Sequence, residues 1–134
     1  MQHYDIIWLA GFMDGEGTFG IYKHHKTYTP SISVCNSSSF TMMHIRDMFI
    51  AMNISAHFSI DQRRRKAFGD KTLYGLTIRD RESVIKLVNA LVNYLYTKKV
   101  QALLILKWFE IQHKGSRLTK EGEQIALEVK SENH

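Results

Sequence analysis

The chain is poor in the residues that staple or span. It has one cysteine, Cys35, and one proline, Pro30, among 134 residues. A lone thiol excludes an internal disulfide and suits a reducing compartment, such as a mitochondrial or plastid matrix or a prokaryotic cytoplasm. Long apolar runs are missing: the longest, Ile6 to Met13, falls short of the roughly 20 residues a membrane helix needs. The start carries neither the basic region nor the cleavage site of a signal peptide, so none is expected. Linkers, repeats and low-complexity tracts are absent as well, so residues 1–134 read as one domain. Acid is also in deficit. Asp and Glu total 13 against 18 Lys and Arg, a net charge of +5, with a pI near 9.4. That excess suits a polyanionic partner, nucleic acid first among them. A hydrophobic share of 44% is enough for a real core.

Periodicity predicts helix, two strands, helix, two strands, then helices. Asp5 can cap a first helix over about Ile6 to Asp14, ended by Gly15 and Gly17. Residues 18–26 alternate as a strand, with Phe19 and Ile21 on one face and Thr18, Tyr22, His24 and Lys26 on the other. A turn at Thr29-Pro30 leads to a second strand over Ser31 to Cys35. The serines at 37 to 39 can cap a helix whose apolar positions are Ile45, Met48, Phe49 and Met52, closed by Asn53. Strands follow over about His57 to Gln62 and Leu73 to Arg79, joined across Arg63-Arg64-Arg65-Lys66 and the Gly69-Asp70 turn signal. Helices are expected over Val84 to Leu95, Lys98 to Gln112 and Thr119 to Lys130. Together these describe an α+β domain with helices on one face of the sheet and the other face bare and polar.

The stretch WLAGFMDGEG, residues 8 to 17, combines apolar bulk, glycine and acid. Gly11 and Gly15 lie four apart beside Ala10, a small-residue stripe along which helices can cross closely. The chain carries the stretch once, so such a crossing would pair it with its own copy about a two-fold axis. Glu16 admits two readings. It is a solvated acid in a helix-ending turn, or it joins exposed carbonyls as an oxygen-rich site suited to Mg²⁺. Two copies of Glu16 on one axis would repel unless cations lay between them.

WLAGFMDGEGTF closely resembles the signature of the LAGLIDADG homing endonucleases. Leu9, Ala10, Gly11, Asp14 and Gly17 match it letter for letter, and Glu16 stands where aspartate is commoner. The element order αββαββα, over about residues 5 to 112, resembles the family core. So do Thr97-Lys98-Lys99-Val100-Gln101-Ala102 and the tail from His113 to Gly122. The resemblance implies an antiparallel sheet forming a DNA-binding saddle, with residues 113–134 as a C-terminal helical tail. It implies a homodimer with Trp8, Ala10, Gly11, Phe12, Asp14 and Gly15 in the interface. It also implies metal-dependent cleavage of both strands of a long pseudo-palindromic site, leaving 3′ overhangs. Glu16 then holds Mg²⁺, or another divalent ion such as Mn²⁺ or Ca²⁺, with the carbonyl of Gly15. Lys98 is the catalytic lysine, or Lys99 if the register slips by one. Asn36, or Ser37 beside it, orders water.

On that reading the polar sheet face lies along the major groove, where each base pair shows a distinct pattern of donors and acceptors. Thr18, Tyr22, His24, Lys26, Ser31 and Ser33 point there by parity, and Gly20 leaves a gap. Arg63, Arg65 and Lys66 can reach guanines or phosphates. His24 and His25 adjoin on a strand and should face opposite ways, so a shared metal is not expected. Cys35 reads as a core or edge residue, and Met42, Met43 and Met48 as core. Relatives that act as intron RNA maturases, or that bind DNA without cutting, offer the competing function. Glu16 and Lys98 argue against both, since pure binding needs neither.

Overall fold

A computed structural model describes residues 3–62, 72–113 and 115–133. The predicted Arg63, Arg65 and Lys66 lie outside them. The elements are α1 (His3–Glu16), β1 (Gly17–His24), β2 (Thr27–Asn36), α2 (Ser39–Ala51), β3 (His57–Asp61), β4 (Leu73–Ile78), α3 (Arg81–Leu91), α4 (Lys99–Ile111) and α5 (Lys120–Glu132). A 3-10 turn, Val92–Tyr94, follows α3. The four strands form one antiparallel sheet in the order β1-β2-β4-β3.

Alternation along the strands divides the sheet cleanly. Phe19, Ile21, Ile32, Val34, Leu76 and Ile78 are all buried, and α1 to α5 pack against the strands that carry them. Thr18, Tyr22, Ser33, Cys35, Ser59 and Thr77 alternate with them and keep solvent contact. The α+β class with one bare polar face is therefore the observed architecture.

Local chemistry sets the boundaries, and several differ from expectation. α1 begins at His3, so Asp5 lies in its first turn and is not its cap. α1 also continues through Gly15 and Glu16, and β1 starts at once at Gly17. A β-carbon at Gly17 would lie 2.7 Å from Met13 Cε and 2.8 Å from the Met13 carbonyl oxygen. Only glycine lets the chain fold back this tightly on its own helix. The hairpin turn falls at His25-Lys26 rather than Thr29-Pro30, so Lys26 is a turn residue and Pro30 pairs with Ile21 inside β2. β4 pairs with β2 only from Ile32 onward, so on that side Pro30 interrupts no ladder.

Ser38 caps α2 by accepting from the Thr41 N–H, and Asn53 adopts φ 57° just past its end. Met42 and Met48 enter the core, whereas Met43 is exposed. α3 starts earlier than its apolar period suggests, because Asp80 caps it by accepting from the Ser83 N–H. Its regular turns stop at Leu91, short of the expected Leu95. Thr119 caps α5. Buried Gln112 braces that entry, its Oε1 accepting from both the N–H and the hydroxyl of Thr119. Gly122 packs against the same carboxamide. At the far end of α5, Asn133 donates to the Phe19 carbonyl oxygen of edge strand β1 at 2.8 Å.

Candidate active site and nucleic-acid interface

α1 serves two environments. Leu9, Ala10 and Met13 are fully buried against the chain's own core. Ala10 was expected in an interface between copies; it is instead withdrawn inside the fold and supports the helix from behind. The opposite face holds Tyr4, Ile7, Trp8, Gly11 and Gly15, all exposed, with Phe12 beside them half-buried. Their spacing is that of one helical stripe. A β-carbon built on Gly11 or Gly15 would meet nothing within 4 Å. Trp8 is 42% exposed. Its ring stacks on Phe12 at 5.4 Å and meets His44 edge-on at 5.5 Å. The stripe is thus apolar, glycine-flattened and uncovered.

Glu16 is the last residue of α1 and is exposed. The carbonyl end of a helix carries partial negative charge, which adds to the carboxylate's pull on a cation. These hard oxygen donors fit a hard divalent ion such as Mg²⁺. Among the described residues no group of three or more His, Cys, Asp or Glu gathers to hold a metal. The donors at this helix end are the Glu16 carboxylate and the backbone carbonyls of the last turn of α1.

The remaining candidates are placed by register and by one staple. Gly17, directly after Glu16, pairs with Val34 of β2, two residues before Asn36. Asn36 and exposed Ser37 therefore lie at the α1 end of the hairpin. The Asn36 Oδ1 accepts from the Ser38 N–H at 2.9 Å, which orients its carboxamide. By alternation Asn36 shares parity with buried Ile32 and Val34, so its half-buried side chain lies on the helix-covered side at the very end of β2 and not on the polar face. Lys98 arrives from far along the chain. The Asp14 carboxylate accepts from the Tyr96 N–H at 2.7 Å and from the Lys98 N–H at 3.0 Å. Asp14, expected in the dimer interface, thus pins the start of α4 to the end of α1. Lys98 precedes α4 and is half-buried, while Lys99 opens the helix and is exposed. Removing this staple with Asp14→Ala is expected to destabilise the chain by about 2–3 kcal/mol, since hydrogen bonds to a charged acceptor are the stronger kind. Urea unfolding reads the loss, and Asp14→Asn should lose roughly half as much.

The polar sheet face forms an open groove of about 650 Å³. Tyr22, His24, Ser31 and Ser33 line it as expected. Thr18 lies on the same face by register, opposite Ser33. The expected gap at Gly20 is filled: the Tyr22 ring lies back over it, 2.5 Å from where a β-carbon would stand. Thr29, Thr77 and Arg79 also line the groove. Reading Thr29 as a turn hid its place, but the β4 alternation Gly75-Leu76-Thr77-Ile78-Arg79 carried the signal for the other two. Cys35 is exposed on this face, across from Gly75. Lys26 and His24 sit at the far end of the hairpin from Glu16.

The family model described as LAGLIDADG endonuclease matches residues 9–112. No curated protein sequence matches the chain. Among solved structures, the archaeal intron-encoded homing endonuclease I-Vdi141I, complexed with DNA, aligns with a TM-score of 0.75 at 17% identity. That alignment covers 98% of this chain and 85% of that one. The homing endonuclease I-CvuI, in complex with its target in the presence of calcium, gives 0.71 at 19% identity, covering 97% and 82%. The LAGLIDADG meganuclease I-AabMI, bound to uncleaved DNA, gives 0.67 at 18% identity; there 93% of this chain covers 43% of that one. At such identities the likeness shows the fold.

Proposed function

The chain belongs to the LAGLIDADG endonuclease family and is by that membership a DNA endonuclease, and from this premise we propose that it works as a homodimer that breaks both strands of a pseudo-palindromic site with a divalent metal. One observation carries the reading. The helix whose outward stripe is apolar and open at Gly11 and Gly15 ends in the exposed carboxylate of Glu16, where the bare polar sheet begins. Joining two such stripes delivers two carboxylates to the axis and aligns two sheet faces.

The chain's own groups then divide the work. Glu16 and the Gly15 carbonyl hold the cation, assisted by the negative end of α1. A divalent ion bound there would polarise the scissile phosphate and lower the pKa of water. Lys98, steadied through Asp14, sets its ammonium where negative charge develops. Asn36, with Ser37 beside it, orients water at the hairpin end. Thr18, Tyr22, Ser31, Ser33 and Thr77 offer donors and acceptors to base edges, while His24, Lys26 and Arg79 reach base edges or phosphates.

A selection experiment tests the whole reading. Duplexes bound by the protein are recovered from a randomised pool without metal and then challenged with Mg²⁺. The recovered sites should consist of two inverted half-sites and be cut on both strands, leaving 3′ overhangs. Recovery of bound sites that Mg²⁺ leaves intact would reject the nuclease and favour a binding protein. Enrichment of a single unrepeated half-site would reject the homodimer.

A further inference from the structure

The tip of the first hairpin breaks the alternation that should separate its histidines. His24 ends β1 and pairs with Thr27, so the turn consists of His25 and Lys26. The Thr27 hydroxyl donates to the His24 carbonyl oxygen at 3.0 Å and fixes this geometry. His25 takes φ 56°, a left-handed conformation that glycine or asparagine adopts more readily than other residues. The consequence is that neighbouring side chains no longer point apart. The two imidazole rings lie with centroids 4.5 Å apart at an interplanar angle of 67°, both exposed.

That spacing suits a shared ion. With metal–nitrogen bonds of about 2.0–2.1 Å, two imidazoles at right-angle to tetrahedral positions hold their ring centres about 4.5–5 Å apart. We propose that His24 and His25 form a two-imidazole chelate for a borderline first-row dication, of which Zn²⁺ is the type. The site differs in kind from the carbonyl and carboxylate set at Glu16: neutral imidazole selects zinc, copper or nickel, whereas hard oxygens select magnesium. It also lies at the opposite end of β1 from Glu16. Two protein ligands leave coordination positions open. His24 lines the polar groove, so phosphate oxygen or a guanine N7 can fill them when nucleic acid is present. Lys23 and Lys26 flank the pair and are exposed; their charge weakens the bare site and favours its use with a polyanion beside it.

The test uses the full chain without DNA. Isotope-labelled protein is titrated with Zn²⁺ while the histidine ring resonances are followed. His24 and His25 should shift together and saturate at one ion per chain, with His44 and His57 unmoved, and Mg²⁺ should move neither of the pair. His24→Gln and His25→Asn should each abolish the paired shift, and asparagine preserves the turn because it tolerates positive φ. A response from only one ring, or unchanged zinc uptake by His25→Asn, would overturn the chelate. Plasmid cleavage with Mg²⁺ is expected to survive His25→Asn, so failure here and failure of the nuclease reading appear in different assays.

Discussion

Glu16→Gln is expected to remove DNA cleavage while leaving DNA binding intact. The substitution keeps size and one carbonyl oxygen but removes the charge that draws a dication. In a dimer it does so twice, because both sites lose their carboxylate together. Loss of a single preorganised electrostatic contact costs on the order of 10²–10³ in rate, and loss of a metal ligand should cost at least that. The fold has no stake in the change. Glu16 is exposed at the helix end, and an amide at that position leaves the packing of α1 untouched. Removing two like charges from the axis should if anything tighten the dimer and its hold on a polyanion. The measurement is conversion of supercoiled plasmid carrying the selected site, read beside a gel shift without metal. A variant that linearises plasmid at the parental rate would remove Glu16 from the site. Glu16→Asp is the companion, since it returns the acid commoner in the signature, and unchanged cutting would show that the extra methylene is accommodated.

Much of this architecture was legible because two periods do most of the encoding. Phe19 and Ile21 against Thr18 and Tyr22 announce a half-buried strand, and Ile45, Met48 and Phe49 announce a helix facing the core. The bare sheet face follows from the first pattern without any tertiary information. What stayed hidden depends on partners remote in sequence. Asp14 looked like one more interface residue, yet its hydrogen bonds reach 82 and 84 positions away to Tyr96 and Lys98. Ala10 matched the signature as readily as Gly11, and only the packed core separates the buried residue from the open one. The hairpin misled for a local reason. Pro30 is a strong turn signal in sequence, but β4 ends its pairing at Ile32, so proline fits the strand and the turn moves to His25. That shift brought the two imidazoles together and carried Thr29 onto the sheet face.

Gly11→Leu is expected to leave the single chain folded and to take the dimer apart. Within one chain a β-carbon at Gly11 meets nothing within 4 Å. A leucine there has room, and its helix propensity exceeds that of glycine by somewhat under 1 kcal/mol. The melting temperature of the protomer should hold or rise. The same side chain stands in the middle of the uncovered stripe, where a second α1 would have to approach closely. At a two-fold contact two such wedges meet, each costing about 1–3 kcal/mol of overpacking. The dimer dissociation constant should then rise roughly 30-fold to 10⁴-fold. Sedimentation at micromolar protein would show mass falling from near 31 kDa, two chains of 15.6 kDa, to one. Double-strand cleavage should fall with it, because in the proposed homodimer each chain brings one Glu16 to the shared axis. The pairing of stable fold with lost activity separates this from ordinary damage, which would lower both. A leucine variant that still sediments as a dimer and still cuts would place the contact between copies somewhere other than α1, and the role of Glu16 at a shared axis would fall with it.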